Sequence, residues 1–398
     1  MSSAGSRRAT GTRAALIGVL VILLLLLVGL GYFIVSILEP VGSPAKSELP
    51  EGIEWVRSIY GYGPSANQQF ISPDHTEIGP DGTIWVSDTQ LNSIFGFSPD
   101  GSLRRRIDFS QLLEEDSWTL PKGISVSPDG EIFVCGSSAD RIFVVSEQGE
   151  LLRSWDVAQP LDCRLYGDRL YVTGLEGVSV FSTDGEPIGT WGGRGKSLDE
   201  LDLPQGVVVG DDGTVYVADT LNARVKAFDP QGALMWTTKA GITGGMGTDR
   251  SSETSGTGLQ LPSGICIDGS GRLVLVDPFG FDIVVIDPAD GTVIGRYGEF
   301  GSGDGMFGYP TGISYDDARD WFAVADTAND RVQIVRIPDS GETGVVSAVR
   351  RALVGPVWIC AIPLVLLLLV ALVAAFSKRR RPKEQQDITH DAVSSGIE

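Results

Sequence analysis

The segment LPQGVVVGDDGTVYVADTLNARVKAF, from Leu203 to Phe228, contains the unit from which the fold can be predicted. It starts with Pro-x-Gly and a short apolar strand, turns at an Asp-Gly pair, and continues as a second strand that ends at Asp219. A polar loop and a third strand follow. The segment YPTGISYDDARDWFAVADTANDRVQIV, from Tyr309 to Val335, repeats this order. Runs of β-branched and aromatic residues separated by Gly and Asp turns are typical of antiparallel meanders.

The second strand of this unit occurs six times. Its copies end at Asp88, Gly136, Gly174, Asp219, Asp277 and Asp326. The intervals between them are 48, 38, 45, 58 and 49 residues, which is close to the period of propeller blades. Because a fourth strand rich in Arg, Trp and Tyr follows most copies, the sequence predicts an all-β fold, a six-bladed β-propeller.

The last copy has no good fourth strand after Val335. However, GIEWVRSIY, from Gly52 to Tyr60, precedes the first copy and is similar to GTVIGRY, from Gly291 to Tyr297, which is a fourth strand. We therefore expect the N-terminal segment to complete the last blade and close the ring. The alternative source of this strand is Glu342 to Val349.

On these motifs the region 52–337 resembles the NHL-repeat six-bladed β-propellers. The second and third copies depart from the pattern, with Gly136 and Gly174 in place of Asp, and the third copy is shortened. Some propellers of this kind are attached to ubiquitin ligases or kinases, but the chain has neither a Cys/His zinc module nor a kinase-type phosphate loop. The resemblance therefore implies a module for binding, sensing or scaffolding.

Two apolar runs flank the repeats, residues 14–38 and 352–376, each 25 residues without a charged side chain. Runs of this length are enough to cross a hydrocarbon core about 30 Å thick, so we predict two transmembrane helices. The first is longer than the apolar region of a signal peptide, and Val35 to Glu39 does not form a cleavage site with small residues. We therefore interpret the first run as an uncleaved signal anchor.

The charges flanking the two runs predict the orientation. Basic residues precede the first run and follow the second, at Arg7, Arg8, Arg13 and in 378–383, and Lys and Arg prefer the cytoplasmic side. We expect a plasma-membrane protein with both termini in the cytoplasm and an extracytoplasmic propeller. The predicted segments are a cytoplasmic N-terminus (1–13), the first helix (14–38), a linker (39–51), the propeller (52–337), a second linker (338–351), the second helix (352–376) and a cytoplasmic tail (377–398).

The predicted exported region is strongly acidic. Residues 40–349 contain 21 basic and 46 acidic side chains, a net charge of −25. Because such a surface repels a phosphate backbone, we exclude sequence-independent binding of nucleic acid and favour cationic partners. Three cysteines in this region, Cys135, Cys163 and Cys266, do not form a disulfide framework, and we expect buried free thiols.

Strand alternation assigns the loops to two faces. The Pro-x-Gly segments and the loops after the second strands lie on one face, the upper face, and the Asp-Gly turns lie on the lower face. The chain reaches and leaves the propeller at the lower face, so we expect the upper face to point away from the membrane. The polar insertion Gly241 to Gly258 also belongs to the upper face, where we expect an extracytoplasmic protein, peptide or glycan to bind. A membrane-protein partner could also bind the two helices.

The loops after the second strands contain repeated polar residues. We predict a structural role for these side chains, since Asp, Asn and Thr hydrogen-bond their own backbone in turns and the motif recurs in several blades. The residues are Asp88, Asp219, Asn222, Arg224, Asp277, Asp326, Asn329 and Arg331.

Six residues near the starts of the first strands are expected to line the mouth of the central channel. They are the candidate binding residues of the upper face: His75, Lys122, Asp162, Gln205, Ser263 and Thr311. His75 replaces the glycine of the Pro-x-Gly motif, but two histidines in the whole chain argue against a zinc site or a catalytic triad. We predict no catalytic residue, metal site or cofactor. The alternative is a Ca²⁺-dependent lactonase-like hydrolase or lyase with oxygen ligands at the channel.

Overall fold

A computed structural model describes residues 52–113, 118–238 and 258–341. These residues form six four-stranded antiparallel sheets, which are the blades of a β-propeller. No helix within the three described ranges has the length and hydropathy needed to cross a bilayer. The predicted membrane helices, 14–38 and 352–376, lie outside the described residues.

Blades I to III follow the chain in order. Blade I contains β2 (Pro73–Ile78), β3 (Ile84–Asp88), β4 (Ser93–Phe97) and β5 (Leu103–Asp108), and a short helix, α1 (Phe109–Leu112), follows it. Blade II contains β6 (Pro121–Val126), β7 (Ile132–Gly136), β8 (Arg141–Val145) and β9 (Leu151–Asp156). Blade III contains β10 (Asp162–Tyr166), β11 (Arg169–Gly174), β12 (Gly177–Ser182) and β13 (Pro187–Trp191).

Blades IV to VI repeat this arrangement. Blade IV contains β14 (Pro204–Val209), β15 (Val215–Asp219), β16 (Arg224–Phe228) and β17 (Leu234–Thr237). Blade V contains β18 (Ile265–Ile267), β19 (Leu273–Asp277), β20 (Asp282–Ile286) and β21 (Val293–Tyr297). Blade VI contains β22 (Pro310–Asp316), β23 (Trp321–Asp326) and β24 (Arg331–Arg336), and β1 (Glu54–Ile59) is its fourth strand. Short 3₁₀ turns occupy Ala66–Gln68, Thr220–Asn222 and Thr327–Asn329.

The prediction that the N-terminal strand closes the ring is confirmed. Strand β1 pairs antiparallel with β24, so the outer strand and the inner three strands of blade VI come from opposite ends of the propeller sequence. The alternative strand, Glu342 to Val349, lies outside the described residues. Closure in this way pairs the outer edge of β24, which would otherwise be exposed.

The core lies between neighbouring blades. Second and third strands are almost continuously buried, as in β3 and β4, whereas fourth strands such as β5 are mostly exposed. Each apolar cluster joins two adjacent blades; one contains Phe95 and Phe97 of blade I together with Ala323 and Ile334 of blade VI. Blade-to-blade packing therefore buries both faces of each sheet, which explains the uninterrupted apolar runs of the inner strands.

One departure from the repeat, Gly136, has a local explanation. At Gly136 an added Cβ would lie 2.5 Å from the Phe143 ring, so that aromatic side chain takes the space that Asp occupies in other copies.

The cysteines Cys135, Cys163 and Cys266 are all free and buried, in agreement with the expectation from their number. Burial also raises the pKa of the Cys135 and Cys266 thiols.

Candidate functional site

The Pro-x-Gly motif sets the width of the central channel. A Cβ on Gly206 would lie 2.4 Å from the Ser263 carbonyl oxygen, and one on Gly312 would lie 2.7 Å from the Asp74 carbonyl oxygen. At this level the first strands of adjacent blades touch through their backbones, and glycine is the residue that permits the close approach. Six equivalent positions, one in each blade, therefore form a ring around the channel.

Two of the six ring positions are not glycine, and their side chains meet. His75 of blade I and Asp162 of blade III occupy positions that pair with Ser87 and Thr173, as Gly206 pairs with Ala218. His75 Nε2 lies 3.6 Å from Asp162 Oδ1, and both side chains are almost completely buried. Asp162 also accepts hydrogen bonds from its neighbour Cys163 and from the Val207 backbone N–H. These contacts tie blades I, III and IV together.

The other predicted binding residues lie in local pairs around this ring. Lys122 Nζ is 3.3 Å from Asp74 Oδ1, and the Ser263 hydroxyl donates to Gln205 Oε1 at 3.3 Å. The Thr311 hydroxyl donates to the Asp74 carbonyl oxygen at 2.6 Å. The six predicted residues thus lie around the channel, and each contacts a residue of another blade.

These residues do not form a single set of converging ligands. Within the three described ranges, no group of three or more His, Cys, Asp or Glu side chains is placed so that it could hold a metal ion.

The repeated polar loops hold their own backbone and neighbouring loops. Asp219 accepts from Asn222 and from Arg224 Nε at 2.7 Å, and Arg224 donates to carbonyl oxygens of the preceding loop, including that of Ser197. Blade VI repeats this arrangement at its second strand. There Asp326 accepts from the Gly308 N–H, Asn329, Arg331 and Gln333.

In the corresponding loops of blades I and V the Asp side chain accepts mainly from backbone N–H groups, and in blade V Arg296 Nη1 also lies 3.9 Å from Asp277 Oδ2. Asp88 accepts from the backbone N–H groups of Ile71, Ser72, Gln90 and Leu91. Asp277 accepts from those of Gln260, Leu261 and Gly280. In all four blades the Asp side chain thus connects the end of a second strand to the loop that precedes its own first strand.

A second pair, which the sequence did not single out, crosses the channel below the ring. Glu77 and Arg164 lie two residues after His75 and Asp162, and Arg164 Nη1 donates to Glu77 Oε1 at 2.6 Å. Burial raises the pKa of the Glu77 carboxyl, although Arg164 and His75 act in the opposite direction. The sequence contained one signal for this pair. Residues i and i+2 of a strand share a face, so the side chains two positions after His75 and Asp162 should also face the channel.

Beneath this pair is a cavity of about 670 Å³ at the lower end of the channel. We name it the lower cavity. Glu77 and Arg164 line it, Tyr216 and Tyr315 belong to its walls, and the lower-face turns of blades IV, V and VI form its rim. None of the six predicted binding residues lines it. The prediction of binding at the upper face therefore concerns a different part of the molecule.

The upper face has its own distinctive surface. The described part of the chain exposes 13 large hydrophobic side chains. Six lie on outer strands, and the other seven all lie in upper-face loops: Tyr60, Ile71, Trp118, Leu198, Leu221, Phe279 and Phe300. None of the 13 lies in a described lower-face turn. Among the described loops, exposure of large apolar side chains is therefore confined to one face.

Four aromatic residues between blades V and VI form the densest part of this surface, and we name them the upper aromatic cluster. Phe281 and Phe300 are in edge contact at 4.8 Å between ring centroids, and Phe279 and Tyr309 at 5.7 Å. Phe300 is 70% exposed and Phe279 is 52% exposed. Because aromatic side chains supply much of the energy of protein interfaces, the cluster offers anchoring groups to a partner.

Comparison with known proteins supports the fold. The NHL repeat family model matches residues 201–228, which include β14, β15 and β16. No curated protein matches the chain in sequence.

Similar solved structures include two bacterial enzymes. A gluconolactonase from Xanthomonas campestris is 17% identical, with a TM-score of 0.51, over 72% of this chain and 99% of its own. Virginiamycin B lyase from Staphylococcus aureus is 14% identical, with a TM-score of 0.48, over 72% of this chain and 99% of its own. At 17% identity the likeness to the gluconolactonase shows the fold alone, because one fold supports many activities.

Proposed function

We propose that the chain is a membrane-tethered, extracytoplasmic NHL-like propeller that binds a protein partner at its upper face. The observation that carries this proposal is the confinement of exposed apolar loop residues to that face, with the upper aromatic cluster as the anchor. Exposed apolar patches rimmed by polar residues mark interaction sites on soluble surfaces. The tether consists of the two apolar runs, 14–38 and 352–376.

The charges around the cluster indicate the chemistry of the partner. Glu299 precedes the exposed Phe300, and Asp330 lies in the neighbouring loop of blade VI; neither forms an ion pair with a described residue. The exported region as a whole has a net charge of −25. We therefore propose a partner segment that presents Lys or Arg beside an apolar or aromatic side chain, which would be attracted and oriented by these carboxylates.

The test is selection of short random peptides on the full chain in neutral detergent. We expect enriched peptides to combine cationic and apolar residues, and to lose binding when Phe279→Ser and Phe300→Ser are combined. The matched control combines Ile188→Ser and Ile294→Ser, two residues of similar exposure on outer strands. Peptides that bind the upper-face and control variants equally would contradict the proposal. Binding of oligosaccharides alone would replace the protein partner with a glycan.

A further inference from the structure

The lower cavity is separate from the proposed upper-face site and has features of a second binding site. Its volume of about 670 Å³ lies within the range of small-molecule pockets, which is about 300–1,000 Å³. First strands of five blades contribute to its walls, so much of the site is built on β-strands rather than on loops. A pocket built on such strands keeps its shape without a ligand.

The cavity contains one unusual buried carboxylate. The Glu77 side chain is only 8% exposed, and its Oε1 accepts from Arg164. The other oxygen, Oε2, has no hydrogen-bond partner among the described residues. Because Oε2 is not fully enclosed, it can accept a hydrogen bond from a ligand in the cavity.

The charge of the lining favours a cation. Five carboxylates line the cavity, at Glu77, Asp211, Asp212, Asp268 and Asp317, against one guanidinium, that of Arg164. Because Arg164 pairs with Glu77 and Arg272 pairs with Asp268, the exposed carboxylates of Asp211 and Asp212 determine the sign of the potential at the mouth. Carboxylates of one sign in a concave surface raise the local concentration of oppositely charged ligands.

The remaining walls indicate that the cation is organic. Ile78, Val209 and Ile267 supply aliphatic surface, and the Tyr216 and Tyr315 rings flank them. Such walls stabilise methylene groups by apolar burial and an ammonium group by cation–π attraction, whereas a hydrated metal ion gains nothing from them. We propose that the lower cavity binds an organic ammonium ion, with an ammonium group donating to Glu77 Oε2 and an alkyl chain along the apolar wall.

The proposal is tested by calorimetric titration of the full chain in neutral detergent, with spermidine as the probe. Calcium chloride at the same ionic strength is the comparison cation. We expect spermidine to bind with a stoichiometry of one, and Glu77→Gln to weaken binding by about tenfold or more, because a hydrogen bond to a charged group is lost. The control Glu131→Gln removes a carboxylate that pairs with Arg153 at 2.6 Å outside the cavity.

A rim variant keeps the test decisive if Glu77→Gln does not fold. Asp211→Asn changes an exposed carboxylate of the cavity mouth, and Asp168→Asn changes an exposed carboxylate of the blade III turn that does not line the cavity. We expect a weakening of a few-fold for Asp211→Asn and no change for Asp168→Asn. Three results would overturn the proposal: no binding of spermidine, equal binding to all variants, or displacement of spermidine by calcium at equal charge concentration.

Discussion

The Arg336 guanidinium donates to the Glu54 carboxylate at 2.7 Å, although the two residues lie 282 positions apart in the chain. They face each other at one end of the β1–β24 ladder, where the first strand of the propeller joins the last. The ion pair itself is exposed, so it contributes little energy. The ladder behind it holds the ring closed.

Removal of residues 52–60 should therefore open blade VI. The deletion exposes the edge of β24, where Val332, Ile334 and Val335 are fully buried in the closed ring. We expect loss of the cooperative thermal transition and rapid proteolysis, since backbone pairing and apolar packing are lost together. The control Glu54→Ala should lower the free energy of unfolding by less than about 1 kcal/mol. A deletion variant that melts like the intact chain would show that another segment supplies the strand.

Asp326 should be essential for the stability of blade VI. Its partner Arg331 has a side chain only 2% exposed, and Arg331 Nε lies 2.9 Å from Asp326 Oδ2. The substitution Asp326→Asn leaves a buried guanidinium without a counter-charge, which should cost about 3–5 kcal/mol of unfolding free energy in chemical denaturation.

The matched control is Asp156→Asn, because Asp156 pairs with Arg141 at 2.6 Å but is 83% exposed. We expect this exposed pair to contribute about 0–1 kcal/mol. Equal effects of the two substitutions would contradict a structural role for the repeated Asp loops. A large effect on partner binding with unchanged stability would assign those loops a functional role instead.

Lys226 should make stability depend on alkaline pH. Burial lowers its pKa to about 8, and repulsion by Arg224 adds to this, while Asp219 opposes it. Because the folded-state pKa lies below the ordinary value of 10.5, the charged form is disfavoured in the fold. The unfolded chain then binds more protons between these two values, so the contribution of Lys226 to stability rises from about pH 8 to about pH 10.5.

Lys226→Gln is the natural test of this dependence. Gln333 occupies the equivalent position in blade VI and donates to the Met306 carbonyl oxygen, as Lys226 donates to the Leu198 carbonyl oxygen. We expect the variant to fold and to show a flatter profile of unfolding free energy between pH 8 and pH 10.5 than the unmodified chain. Parallel profiles for the two proteins would exclude Lys226 as the cause.

The channel ring should not tolerate a side chain at Gly206. Alanine there places its Cβ 2.4 Å from the Ser263 carbonyl oxygen, so the backbones of blades IV and V must separate. We expect Gly206→Ala to destabilise the propeller by about 1–3 kcal/mol, as overpacking does. The control Gly189→Ala adds a Cβ with no atom within 4 Å on an outer strand. If both variants had nearly the same melting temperature as the unmodified chain, the glycine would not be needed for the close approach of the two blades.

The sequence was sufficient to predict the architecture because propeller information is local. Each Asp-Gly turn and each alternation of apolar strands specifies one meander, and six similar copies specify the number of blades. The absence of a fourth strand after Val335 and its presence at Gly52 to Tyr60 also predicted the closure that β1 and β24 form. Only neighbouring residues and their order were needed for these conclusions.

The candidate sites were less predictable because they depend on contacts between blades. The replacement of glycine by His75 was visible in the sequence, but its contact with Asp162 joins blades that are two apart in the ring. The shortened third copy also concealed that Asp162 occupies the same position as His75. The Glu77–Arg164 pair and the lower cavity depend on the same contact between blades I and III. The spacing of residues along the chain does not reveal that contact.

The sequence alone specified six meanders, the order of their strands, the turns between them and the acidic charge of residues 40–349. The folded ring was needed to show which side chains meet around the channel, and which face exposes apolar loop residues. The physical reason is that turn and strand preferences act over a few residues. A channel, in contrast, is formed by strands 40 to 60 positions apart, whose side chains meet only when the ring has closed.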